Sequence, residues 1–114
     1  MKEITTKKND AWVLVVKENS TTTRYEIMTL AGKYRGGKIY SSDKTINVLS
    51  GKTTLIQEIN WRDTKIILTK ESGSYIIPAW IPHIFYFPET TEITEEFSLK
   101  TETQDFERYR AMKK

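Results

Sequence analysis

Residues 32–51 read GKYRGGKIYSSDKTINVLSG and residues 73–87 read GSYIIPAWIPHIFYF; the fold follows from these two stretches. In the first, Gly32 and Gly51 bracket two short runs, 38–40 and 45–49, joined by the turn Ser41-Ser42-Asp43. In the second, Pro78 and Pro82 stand between the run 75–77 and the run 83–87. Glycines placed at tight turns, and prolines between strands where no ladder hydrogen bond is lost, mark the punctuation of a β protein. Strand alternation then puts Lys38 and Tyr40 on one face, Lys44, Ile46 and Val48 on a second, and His83, Phe85 and Phe87 on a third.

Working outward, runs rich in Thr, Ile, Tyr, Phe, Val and Trp recur between turn residues, the signal of an all-β sandwich or barrel. Strands are predicted at 11–16, 22–31, 53–59, 65–70 and 92–98 besides those above, with Ser50-Gly51-Lys52 closing a hairpin and 60–64 forming a turn whose Trp61 folds back over the barrel. Only the C-terminus is helical in character, over about 102–113. Thr101 and Gln104 have capping-box spacing, acidic residues lead, basic residues follow, and Phe106, Tyr109 and Met112 fall three apart to dock on the barrel.

With 114 residues the chain suits one domain, 1–114, with a barrel core at about 22–98. Apolar residues make up 38% and charged residues 29%, and no apolar run has the length of a membrane span. No membrane partner is expected. The first residues carry charge without an apolar segment behind them, so no export signal is read and a cytoplasmic address is expected. Asn19-Ser20-Thr21, a glycosylation acceptor pattern, then reads simply as a turn. Cysteine is absent, which removes disulfides, thiolate catalysis and sulfur-ligated zinc. The net charge of +3 is scattered, with clusters only at Lys7-Lys8 and in the tail, so no nucleic-acid partner is expected.

The two stretches resemble the paired motifs of the cupins. The first such motif runs glycine, five residues, His-x-His, three or four residues, Glu, six residues, glycine. Here Gly32 and Gly51 keep that spacing, while Lys38, Tyr40 and Lys44 take the ligand positions. In the second motif Gly73 precedes Pro78 by one residue fewer than usual, Trp80 replaces a glycine, His83 holds the histidine position and Phe87 that of an asparagine. The resemblance implies an all-β, cupin-type double-stranded β-helix, a jelly-roll barrel, with a short C-terminal helix.

Cupin pockets usually hold a metal, but one imidazole among two ammonium groups does not make an N/O site for a transition metal. The expectation is therefore a barrel with no metal and no cofactor. Glu26, Glu58 and Glu71 could supply carboxylates, yet each reads more simply as a solvated strand residue. What remains is an apolar pocket carrying Lys38, Tyr40, Lys44, His83, Phe85, Phe87 and Trp80, whose charge suits an anionic guest such as a carboxylate, a phosphate or a sugar nucleotide. A plainer account has both lysines snorkelling to the barrel mouth, Tyr40 in the core and His83 bonded to a backbone carbonyl.

Three functions are compatible with these residues. One is a metal-free binding protein. Another resembles the sugar-nucleotide epimerases and ketoisomerases, with His83 as base, Tyr40 as acid and Lys38 or Lys44 steadying negative charge. The third is a structural or interaction protein with a filled barrel. Small cupins commonly pair, so a homodimer is expected, with the run Trp12-Val13-Leu14-Val15-Val16 as a candidate interface strand.

Overall fold

The computed structural model describes residues 3–113. Eleven strands follow in order among them: β1 (Glu3–Lys8), β2 (Trp12–Glu18), β3 (Thr22–Thr29), β4 (Lys33–Tyr40), β5 (Lys44–Ser50), β6 (Lys52–Ile59), β7 (Arg62–Thr69), β8 (Tyr75–Ile77), β9 (His83–Phe87), β10 (Thr91–Ser98) and β11 (Thr103–Asp105). A single helical turn, α1 (Glu107–Arg110), runs into a 3-10 turn at Ala111–Lys113. The strands form two antiparallel sheets, ordered β1-β2-β3-β10-β5-β8 and β11-β4-β9-β6-β7. No described helix is long and apolar enough to cross a membrane.

Period-two alternation closes these sheets on each other. Along β9 His83, Phe85 and Phe87 are buried inward, and along β5 Lys44, Ile46 and Val48 are. Leu14, Ile27, Leu55, Leu68, Ile77 and Ile93 complete the inner core, each contributing about 1.5–3 kcal/mol by leaving water. Leu14 comes from β2, so the barrel begins before residue 22.

Gly51 does not close a hairpin. β5 pairs with β10 and β8, whereas β6 pairs with β7 and β9, so the chain changes sheet at this glycine. Its φ of 81° and the approach of Thr90 and Thr91, whose oxygens would lie 2.6 Å from an added Cβ, explain why a glycine turns this corner. The hairpin lies one strand later, where Asn60 and Trp61, at φ of 52° and 67°, join β6 to β7. Trp61 is 91% exposed and does not fold back over the barrel.

The C-terminal helix is shorter than the charge pattern predicts. Residues 103–105 instead add a strand to the free edge of β4, pairing Thr103 with Tyr40 and Asp105 with Lys38. That edge offers unpaired backbone groups which a first helical turn would leave unused. The helix starts after Phe106 and is held by side chains: Tyr109 is fully buried against Ile56 and Ile84, and Arg108 forks onto Asp63 at 2.9 and 3.0 Å. The C-terminus thus covers the outer face of the five-stranded sheet.

β2 lies between β1 and β3, so its edges are satisfied. A second copy could meet the strand only through its outward face, which carries Val13 and Val15.

Candidate functional site

A β-bulge sets up the inner wall. Arg35 pairs with Phe85 and Gly36 with Ile84, yet the next β9 residue, His83, pairs with Lys38, leaving Gly37 surplus. Gly36 and Gly37 stand at φ of 110° and 82°, a conformation that side chains rarely adopt. The extra residue resets the alternation, so Arg35 joins Lys38 and Tyr40 on the inner face. Straight counting from Lys38 would have turned Arg35 outward.

These residues line a cavity of about 200 Å³ between the sheets. Trp12, Leu14, Tyr25, Tyr40 and Phe85 supply its apolar wall, and Arg35, Lys38, Lys44, Glu95 and Lys113 its charges. Lys38 reaches the rim and pairs with Asp105 at 3.1 Å. Lys113 donates to the Gly36 carbonyl at 3.1 Å. The Arg35 guanidinium lies 5.3 Å from the centre of the Trp12 ring, within cation–π range.

Lys44 is different, since it is only 3% exposed. Its Nζ donates to His83 Nε2 at 3.0 Å, lies 3.2 Å from Glu95 Oε1, and stands 3.7 Å from the centre of the Tyr40 ring. The tautomer of His83 follows from its other nitrogen. Nδ1 sits 3.0 Å from the Ile81 carbonyl, which can only accept, so Nδ1 carries the hydrogen and Nε2 offers its lone pair to the ammonium. Burial, reinforced by the Lys44 charge, pushes the imidazole down to about 3, so His83 is neutral at pH 7. Burial likewise lowers Lys44 to about 8, against the pull of Glu95. In Glu95 burial acts upward, but the charges of Lys44 and Arg35 outweigh it and hold the carboxyl below its ordinary range.

Lys44 Nζ and Glu95 Oε1 form a buried ion pair at 3.2 Å, and neither Glu95 oxygen has a further hydrogen-bond partner among the described residues. Arg35 Nε lacks one as well.

Of the residues singled out in the sequence, Lys38, Tyr40, Lys44 and Phe85 line one cavity. His83 lies behind Lys44, bonded to it. Phe87 does not line the cavity; it is fully buried in the core, stacked on Phe85. Trp80 is also misplaced by the sequence reading. It occupies a loop position at φ 70°, is 65% exposed, and does not line the cavity; its N–H donates to the Tyr40 carbonyl. Glu26 pairs with Lys17 and Arg24, and Glu58 with Arg108, outside the cavity.

Trp12, Leu14, Tyr25 and Lys113 lie outside the two motif stretches and were not expected in the wall, and two charged residues escaped for reasons that can be traced. Arg35 was hidden by the bulge, for which the Gly36-Gly37 pair is the available sign. Glu95 was legible in principle, because Ile93, Glu95 and Phe97 alternate on β10 and a carboxylate between two apolar residues faces inward with them.

Neither a family model nor a curated protein matches the sequence. Solved structures do match in shape. An oxalate decarboxylase from Bacillus subtilis superposes with a TM-score of 0.80 at 10% identity, over 96% of this chain and 32% of the other. CapF in complex with an inhibitor gives 0.70 at 14% identity, over 84% and 30%, and a salicylate 1,2-dioxygenase from Pseudoaminobacter salicylatoxidans gives 0.67 at 11%, over 87% and 30%. The fold is that of the cupins. The chain spans about a third of the length of these cupin neighbours, so the likeness concerns the barrel alone.

A cupin barrel raises the question of a metal, and the donor set here does not fit one. Among the described residues no group of three or more His, Asp or Glu side chains converges. His83 and Glu95 do face the same point, but the Lys44 ammonium already stands there, with the imidazole lone pair directed at it. A divalent ion would meet a resident positive charge and one remaining carboxylate.

Proposed function

We propose that this cupin barrel binds a small carboxylate, or a group of like charge and size, without a metal ion. The observation that carries this reading is the charge balance of the cavity wall. Lys44 is matched by Glu95 and Lys38 by Asp105, whereas among the described residues no carboxylate forms an ion pair with Arg35 or Lys113. The wall therefore favours an anion, and the guanidinium offers the planar donors that suit a carboxylate.

Size narrows the guest. A space of about 200 Å³ is below the roughly 300–1,000 Å³ of sites for drug-sized molecules, which disfavours a sugar nucleotide. The proton-transfer alternative loses support from the site itself: both ring nitrogens of His83 are engaged, and its low proton affinity ill suits a base working near neutral pH. Burial also raises Tyr40, which makes it a poorer acid. Two fold neighbours are named for small carboxylates, oxalate and salicylate, in keeping with this size class.

The test is a melting-temperature screen against oxalate, lactate, pyruvate, benzoate, a uridine diphosphate sugar and the chlorides of manganese, nickel and zinc. A ligand specific to the folded state raises the midpoint, by the equivalent of about 2.7 kcal/mol at a hundred times its Kd. Stabilisation by one or more small carboxylates, lost in Arg35→Gln, is expected. Stabilisation by a metal alone, or by the sugar nucleotide alone, overturns the reading.

A further inference from the structure

The cavity wall presents a buried carboxylate, Glu95, 1% exposed and with no hydrogen-bond partner among the described residues beyond its ion pair with Lys44, and a guanidinium, Arg35, whose Nε has no acceptor among them. Buried polar groups are normally paired, so Arg35 describes an anionic oxygen on the guest, while Glu95, balanced in charge by Lys44, keeps lone pairs for a proton exchanged beside the amine. The same wall carries the primary amine of Lys44, 3.2 Å from Glu95 Oε1. An amine, an acid–base group beside it and an anion anchor are the parts that imine chemistry needs.

We propose that Lys44 captures the carbonyl carbon of a small 2-oxo acid as an imine, with Arg35 holding the carboxylate and Glu95 carrying the protons. This deepens the small-carboxylate reading and rests on it. First the Lys44 ammonium passes a proton to Glu95, giving a neutral amine and a carboxylic acid. The nitrogen lone pair then forms a bond to the carbonyl carbon while the π pair moves onto oxygen, and that oxygen takes a proton from the new ammonium. Glu95 returns its proton to the resulting hydroxyl, the C–O bond breaks, water leaves, and the nitrogen lone pair closes the C=N bond. The sum is an ammonium and a ketone going to an iminium and water, with Glu95 restored and no further reactant.

The surroundings suit each step. His83 Nε2 accepts one N–H of Lys44 and fixes where the nitrogen sits, which makes His83 a positioning residue. The face of Tyr40, 3.7 Å away, stabilises positive charge on that nitrogen before and after the reaction. With Lys44 lowered to about 8, roughly a tenth of the side chains are neutral at pH 7, where an ordinary lysine has only a few parts in ten thousand.

The experiment incubates the whole wild-type chain with pyruvate and sodium cyanoborohydride, with lactate as the carbonyl-free control, and reads intact mass followed by peptide mapping. One reduced adduct per chain, on Lys44, is expected. It should be absent with lactate, absent in Lys44→Arg, and formed at least ten times more slowly in Glu95→Gln. Mapping on the wild-type chain places the adduct even if a variant fails to fold. No adduct, with both pyruvate and lactate still raising the melting temperature, overturns the imine and leaves the carboxylate site standing. No adduct and no stabilisation by either overturns both. Label spread evenly over exposed lysines such as Lys52 and Lys65 also overturns the imine.

Discussion

The ammonium of Lys44 lies 3.0 Å from Nε2 of His83, so an imidazole that could ligate a metal is spent on an internal cation. That contact ties two sheets together, because Lys44 belongs to β5 and His83 to β9. It also makes the charge of Lys44 necessary to the stability of its neighbour Glu95.

Lys44→Met should therefore destabilise the fold by about 3–5 kcal/mol, since it removes the ion-pair partner of the buried Glu95 carboxylate. The double variant Lys44→Met with Glu95→Leu should recover most of that loss. Urea unfolding of the four proteins of this cycle measures it. Additive losses would mean that the two charges do not compensate each other.

His83 makes stability depend on pH. Its imidazole is lowered from 6.5 in the unfolded chain to about 3 in the fold, chiefly by burial and next by Lys44. The unfolded chain thus binds the proton first on acidification. Stability is full above about pH 6.5 and is lost progressively towards pH 3. Lys44, Glu95 and Tyr40 are the ionisable groups that face the ring, and their ordinary values of 10.5, 4.5 and 10.0 leave the interval from 6.5 to 4.5 to His83. Urea midpoints measured across that interval should fall in the wild type and stay nearly flat in His83→Gln.

Arg35→Gln should weaken binding of a small carboxylate by about ten- to a hundredfold, the value of a charge-assisted hydrogen bond of about 1.5–3 kcal/mol. Stability should fall by less than in Lys44→Met, because the guanidinium forms no ion pair among the described residues and acts on Glu95 and Trp12 only at longer range. Titration calorimetry with the best ligand of the screen, beside urea unfolding, separates the two effects.

Trp61→Gly should stabilise the protein by up to about 1 kcal/mol. Trp61 occupies the left-handed region at φ 67° while its indole stands in solvent, so relief of backbone strain outweighs the little packing that the ring provides. A higher urea midpoint with an unchanged slope is the expected result.

The inner faces of β5, β9 and the end of β4 were legible in the sequence, because period-two alternation is local and Lys38, Tyr40, Lys44, His83 and Phe85 obey it. What escaped depends on neighbours distant in sequence. A hairpin and a corner between sheets use the same Ser-Gly-Lys chemistry at residues 50–52, and only the partners of β5 and β6 tell them apart. Residues 103–105 have helical neighbours in sequence and a strand neighbour in space. Glu95 sits in phase with Ile93 and Phe97, but the lysine that makes a buried carboxylate tolerable comes from another strand.

The surplus Gly37 lets two residues three apart in sequence share one wall. Were β4 to pair in unbroken register with all its residues kept, Arg35 would turn outward and the phenol of Tyr34 would take its place. A relative shortened by this one residue would keep the guanidinium inward on a straight strand, so the kink is dispensable to the guest as long as the count shrinks with it.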